Sequence, residues 1–252
     1  MRKVIKAVIY ISFLVSIISC SNKWKTVYTT EFDWNNDGEK DKIILEIPKD
    51  WNDPGDFHKV RIKISGKPEF TLENMDGWIK IEDELILKNE IKNVADNNYF
   101  LLYPITKNEN VLLLIGYGYA SKPSRLDVIT LNNDYPEVIF SEERDVWKYQ
   151  DLNNDSIPDF LLLPWLTEVY GPEDRYKSYV PLLVYTMVKQ NGHWKMIYDE
   201  NSSIKYTNDN LYGWAGREGS DSLVVFKPKN ENKPRVMKLK EAQILYNKEQ
   251  PK

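Results

Sequence analysis

Cysteine is almost missing from this chain: Cys20 is the only one in 252 residues. No intrachain disulfide is available, so the fold must rest on an apolar core, hydrogen bonds and any bound metal. Histidine is nearly as scarce. His58 and His193 lie far apart, with no second nitrogen or sulfur ligand at zinc spacing, which leaves no readable zinc site. No lysine- or arginine-rich run exists to neutralise phosphates, and the net charge is −4, which argues against nucleic acid and anionic lipid as partners. No apolar run is long enough to cross a bilayer. The longest, residues 7–18, is broken by Tyr10, Ser12 and Ser16 and as a helix would rise roughly 18 Å against a hydrocarbon core of about 30 Å. Also lacking are a Gly-x-Ser-x-Gly elbow, a phosphate-binding glycine loop and a metalloprotease helix.

What is present begins with an export pattern. Arg2, Lys3 and Lys6 form a positive stretch before the apolar run, which ends in Ile17-Ile18-Ser19-Cys20. That ending resembles the lipobox read by lipoprotein signal peptidase. The resemblance implies a signal peptide over residues 1–19, lipid on Cys20 and a lipidated tether over residues 20–25. It also implies a chain exported and held to a membrane through its N-terminal lipid; Ser21 resembles an outer-membrane sorting residue. An ordinary secretory signal ending near a cysteine is the alternative. Loss of residues 1–19 removes three positive charges, taking the net charge from −4 to −7.

Residues 26–252 are enough for one well-cored domain, with two small domains as the alternative. Sixteen Tyr and eight Trp suit pleated, half-buried surfaces, and Asn, Asp, Gly and Pro clusters mark frequent turns. Strand-like segments fall at 26–32, 42–47, 59–64, 68–72, 99–105, 111–117, 125–131, 137–140, 146–149, 160–163, 179–188, 193–198, 223–226 and 235–239. Ser65-Gly66-Lys67 and Asn191-Gly192 read as turns, the second as a two-residue hairpin. Helical periodicity is weak, with a turn or two expected within 81–94, 202–212 and 241–248. The expected class is all-β: propeller-like, with about three to five irregular blades, or failing that a β-sandwich or incomplete propeller.

One internal repeat concerns chemistry. Asp33-Trp34-Asn35-Asn36-Asp37-Gly38-Glu39-Lys40-Asp41 recurs as Asp151-Leu152-Asn153-Asn154-Asp155-Ser156-Ile157-Pro158-Asp159, 118 residues downstream. Each copy follows a strand and runs into an apolar one. Oxygen ligands at positions 1, 3 and 5 of a tight loop converge on one point, as a hard cation requires. The expected ligands are Asp33, Asn35, Asp37, the Glu39 carbonyl and Asp41, and then Asp151, Asn153, Asp155, the Ile157 carbonyl and Asp159. An EF-hand would need a carboxylate at position 12, where Ile44 and Leu162 stand. The alternative is a pair of Asx-type turns without an ion.

Nine residues with a strand on each side resemble the FG-GAP, or VCBS, repeat, which includes the calcium loops of integrin α-subunit β-propellers and of many exported bacterial proteins. The resemblance covers residues 26–47 and 145–164. The stretch 112–140, with Gly116-Tyr-Gly-Tyr-Ala and Leu126-Asp-Val-Ile, is similar to the region before the second loop in bacterial lipoproteins of this type. It implies calcium in both loops. Gly38 suits the left-handed backbone at position 6; Ser156 departs from the pattern there.

Two aromatic clusters, at 170–179 with Arg175 and around Trp214, are candidate binding surfaces or loop anchors. The acidic pairs Glu142-Glu143 and Glu173-Asp174 are the material a glycosidase would need, or ordinary solvated charge. The expected function is non-catalytic: a calcium-binding envelope lipoprotein that binds or scaffolds an envelope protein or glycan. The rivals are an envelope hydrolase acting on glycan or peptidoglycan, and a purely structural lipoprotein.

Overall fold

The computed structural model describes residues 23–52, 55–81, 97–118, 124–164, 176–177, 182–211, 223–232 and 235–249. The signal and Cys20, all but Ile81 of the stretch 81–94 where helical turns are expected, most of the aromatic loop at 170–179 and Trp214 lie outside the described residues.

The fold is mostly β, as the turn and strand pattern requires. The first sheet is an antiparallel meander, β1 (Trp24–Phe32), β2 (Asp41–Pro48), β3 (Phe57–Lys63) and β4 (Phe70–Trp78), in that order. The second contains β5 (Leu101–Pro104), β6 (Asn110–Ile115), β7 (Arg125–Asn132), β8 (Tyr135–Gln150), β9 (Asp159–Pro164), β11 (Leu183–Gln190) and β12 (His193–Asp199), in the order β12-β11-β9-β8-β7-β6-β5. A small third sheet joins β10 (Tyr176–Lys177), β13 (Leu223–Phe226) and β14 (Arg235–Lys238). Two helices complete the described chain, α1 (Glu200–Leu211) and α2 (Leu239–Glu249). Asp199 caps α1 by accepting the Ser202 N–H at 3.0 Å. None of these sheets closes on itself.

The segments read as 137–140 and 146–149 are one strand. β8 spans 16 residues; Tyr135 to Glu143 pair with β7, and Arg144 to Gln150 with β9. The polar run Ser141-Glu142-Glu143-Arg144-Asp145 looks like a loop in sequence. It stays extended because each half of the strand has a pairing partner. The seven-stranded sheet is thus two four-stranded meanders sharing β8: β5, β6, β7 and β8, then β8, β9, β11 and β12.

The shared sheet folds back on itself. Flat, β5 and β8 would lie about 14 Å apart, three strand spacings. Instead Tyr103 of β5 stacks on Tyr149 of β8 with ring centroids 5.1 Å apart. Between the two meanders lies one core cluster, with Tyr103, Leu113, Val128, Phe140, Phe160 and Trp194 among its members. Alternate residues of the same strands, Leu102, Leu112 and Leu114, belong to a second cluster with Trp34, Leu45, Phe57, Ile62 and Trp78 of the first sheet. The middle meander is therefore buried on both faces, which explains the unbroken apolar run Val111-Leu112-Leu113-Leu114. Beyond the third meander, Tyr206 of α1 packs on Leu161, Leu182 and Val184.

The outward face of the first sheet is a ladder of cross-strand ion pairs. Lys42 meets Glu31 at 3.0 Å, Lys59 meets Glu73 at 3.0 Å, Arg61 meets Glu46 at 3.3 Å and Lys63 meets Glu69 at 3.0 Å.

Candidate functional site

Each repeated loop joins the first and second strands of its meander: residues 33–40 link β1 to β2, and residues 151–158 link β8 to β9. In the middle meander the same place, between β5 and β6, holds the short turn 105–109, closed by the Ile105 N–H donating to the Glu109 carbonyl at 2.7 Å. The 118-residue offset is the length of two meanders, and the meander between them has the short turn in place of the loop.

The two loops share one hydrogen-bond template. In the first, the Gly38 N–H donates to Asp33 Oδ2 at 2.9 Å, the Asp37 N–H to Asn35 Oδ1 at 3.2 Å and the Glu39 N–H to Asp37 Oδ1 at 2.7 Å. In the second, Ser156 donates to Asp151 Oδ2 at 2.9 Å, Asp155 to Asn153 Oδ1 at 2.9 Å and Ile157 to Asp155 Oδ1 at 2.7 Å. The position-3 amides reach Asp37 at 2.9 Å and Asp155 at 3.0 Å. Positions 4 and 6 are left-handed in both: Asn36 at φ 60° and Gly38 at 89°, Asn154 at 63° and Ser156 at 70°. Ser156 takes this conformation despite its side chain.

The closing aspartates open the next strands and are buried, Asp41 at 0% and Asp159 at 1% exposure. The Trp34 N–H donates to Asp41 Oδ2 at 2.8 Å and the Leu152 N–H to Asp159 Oδ2 at 3.0 Å. Burial raises the pKa of Asp41 against the pull of these N–H groups, and the Asp37 charge adds to the rise. Burial likewise pushes Asp159 up to about 6, with the charges of Asp155 and Asp151 adding to it. Asp37, at the surface, is lowered by the Glu39 N–H and the Asn35 amide.

All five expected ligands of each loop thus lie in one turn, and every donor is oxygen, as a hard cation prefers. Their carboxylates are spread over backbone N–H groups; among the described residues no three acidic, histidine or cysteine side chains are gathered into a metal-holding group. The donor chemistry fits calcium, and the cage would be completed by the ion drawing the carboxylates inward.

The histidines have other surroundings. His58 is buried, its Nδ1 3.0 Å from the Asn74 carbonyl, with Gly55 and Gly77 pressed against its ring. His193 faces Glu137 at 3.2 Å on the surface. Glu142 pairs with Arg144 at 3.2 Å.

A cleft of about 320 Å³ beside the first loop went unread in the sequence. The first loop contributes Trp34 and Asn35, the β5–β6 turn Asn108 and Glu109, and the start of β6 Asn110. The β7–β8 turn adds Asn133 and Asp134, and the β11–β12 hairpin Lys189, Gly192 and Trp194. Four turns distant in sequence meet there; the first loop and the Asn191-Gly192 hairpin were each visible beforehand, but not their meeting. At its centre Glu109 accepts from Lys189 Nζ at 2.6 Å and from Trp194 Nε1 at 3.1 Å. Burial would raise Glu109, but these donors outweigh it and hold its pKa below the ordinary value.

No protein-family model, curated protein or solved structure matches the chain. The likeness to the FG-GAP repeat rests on the two loops and their flanking strands.

Proposed function

We propose that the chain is a calcium-binding envelope lipoprotein, non-catalytic, which binds or scaffolds another envelope component. The observation that carries the calcium half is the shared loop template: two loops 118 residues apart repeat most of their hydrogen bonds and the same left-handed positions, even where serine replaces glycine, and differ in the N–H that reaches the first aspartate's Oδ1. A plain connection between strands has no need of that constraint. Calcium at each loop would offset the repulsion among three aspartates and fix the turn that sets the register of the next strand.

The same reading makes the β1–β4, β5–β8 and β8–β12 meanders three blades of an open, propeller-like stack. Its support is the placing of the loops between first and second strands, the face-to-face packing, and the charged outer face, which suits an end and not a seam.

Two measurements on the full chain test the proposal. Fatty-acid-analogue labelling in a bacterial host should mark the protein and disappear in Cys20→Ala; unchanged labelling ends the lipoprotein reading. Melting in detergent should shift upward in millimolar calcium, much less in magnesium, and equal melting in calcium and chelator ends the metal reading.

A further inference from the structure

The charges in the cleft beside the first loop cancel locally. Glu109 is held by Lys189 at 2.6 Å, and Asp134 faces Lys67 at 3.7 Å. Neither an anion nor a cation would find an uncompensated partner there. What remains for recognition is amide. The side-chain amide of Asn35 is engaged with Asp37. Asn108, Asn110 and Asn133 also line the cleft, and their side-chain amides have no hydrogen-bond partner among the described residues. An amide offers donors and an acceptor together, which suits a hydroxyl that does the same.

Size and shape narrow the choice. A volume of about 320 Å³ is at the small end of ligand pockets and takes on the order of one or two sugar rings. The indoles of Trp34 and Trp194 lie at the base of the cleft, buried in the core, so the accessible lining is mainly polar. An extended peptide would pair along a free strand edge, whereas this cleft lies among four turns.

We propose that the cleft binds an uncharged saccharide unit, its hydroxyls taken by the amides of Asn108, Asn110 and Asn133 and by the Glu109–Lys189 pair. This rests on the binding role proposed above and gives it a ligand class, but it needs neither the lipid nor the ion.

The test is ligand-observed saturation-transfer NMR on the full chain in a non-glycosidic detergent, with calcium and with chelator. The probes are glucose, N-acetylglucosamine and maltose, with glutamate, arginine and triglycine as controls. Asn133 sits at φ 52°, so Asn133→Gly deletes an amide while keeping the turn. Lys189→Met breaks the central ion pair, and melting curves confirm that both variants fold. The expected result is saturable transfer from at least one sugar, weakened about tenfold or more by at least one variant. Three outcomes overturn the proposal: no saturable transfer from any sugar up to about 50 mM, binding unchanged in both variants, or saturation by the controls alone. Calcium-dependent melting and Cys20-dependent labelling are unaffected by any of them, so the two readings fail separately.

Discussion

Ser156 donates its backbone N–H to Asp151 Oδ2 at 2.9 Å while holding φ at 70°, the bond and the backbone that Gly38 and Asp33 make in the first loop. A side chain in that region costs about 1 kcal/mol, partly offset because glycine loosens the unfolded chain. Ser156→Gly should therefore raise stability by up to about 1 kcal/mol and leave calcium affinity at the second loop equal or improved. Gly38→Ser should lower stability by about as much, since no atom lies within 4 Å of the added Cβ and only the backbone is strained. Urea melts of the two variants give both signs.

Calcium should act on each loop separately, because the loops belong to different meanders. Exported sites of this kind bind at about 10⁻⁴–10⁻³ M. At roughly ten times Kd each site adds about 1.4 kcal/mol. Asp37→Ala should remove about half of the calcium-induced melting shift, and Asp37→Ala with Asp155→Ala nearly all of it. A full shift in the double variant would place the ion elsewhere.

The buried aspartates give a pH dependence of definite sign. Asp159, pushed up to about 6, binds its proton more tightly folded than unfolded. Its contribution is fully present below the ordinary value of 3.8 and is lost as pH rises through about 6. Asp41 moves in the same direction. In chelator, the melting temperature should fall as pH is raised from about 4 to about 7. Asp159→Asn should flatten much of that slope, and calcium should oppose it by taking the place of the proton. Asp37, Glu109 and Glu137 are lowered, so their contribution is present above their ordinary values and disappears only under more acid conditions.

One hydrogen bond joins the first sheet to the second at depth. Trp78 Nε1 donates to Asp127 Oδ2 at 2.8 Å, and neither residue is exposed. Trp78→Phe would take a donor from a buried carboxylate that keeps only Arg125 and Ser141. The expected loss is about 1–3 kcal/mol in denaturant unfolding. A loss below about 0.5 kcal/mol would mean that water replaces the indole.

Local pattern revealed most strands and both loops, because alternation and turn chemistry are written in neighbouring residues. The Asp33 and Asp151 repeats were legible for that reason. The continuity of β8 was not: Glu142 and Glu143 read as a break, and only β7 and β9, paired on successive halves, keep the chain extended. Nor was the left-handed pair Asn133-Asp134, at φ 52° and 57°, read as a two-residue turn. The cleft was beyond reach altogether, since Asn35, Asn110, Asn133 and Lys189 meet only through packing of separate meanders. The ion-pair ladder on the first sheet was hidden similarly, as Lys59 and Glu73 find each other only through strand register.

The sharing of β8 bears on how the protein comes apart. Where repeats are joined only by contact between neighbours, an end unit frays and the rest survives. Here the last strand of the middle meander is also the first strand of the third, along one uninterrupted backbone. Melting of either half opens the apolar layer around Tyr103, Tyr149 and Phe160, to which both meanders contribute. The two meanders form a single cooperative unit, and a protease that severs the chain between Ser141 and Asp145 would unravel both together.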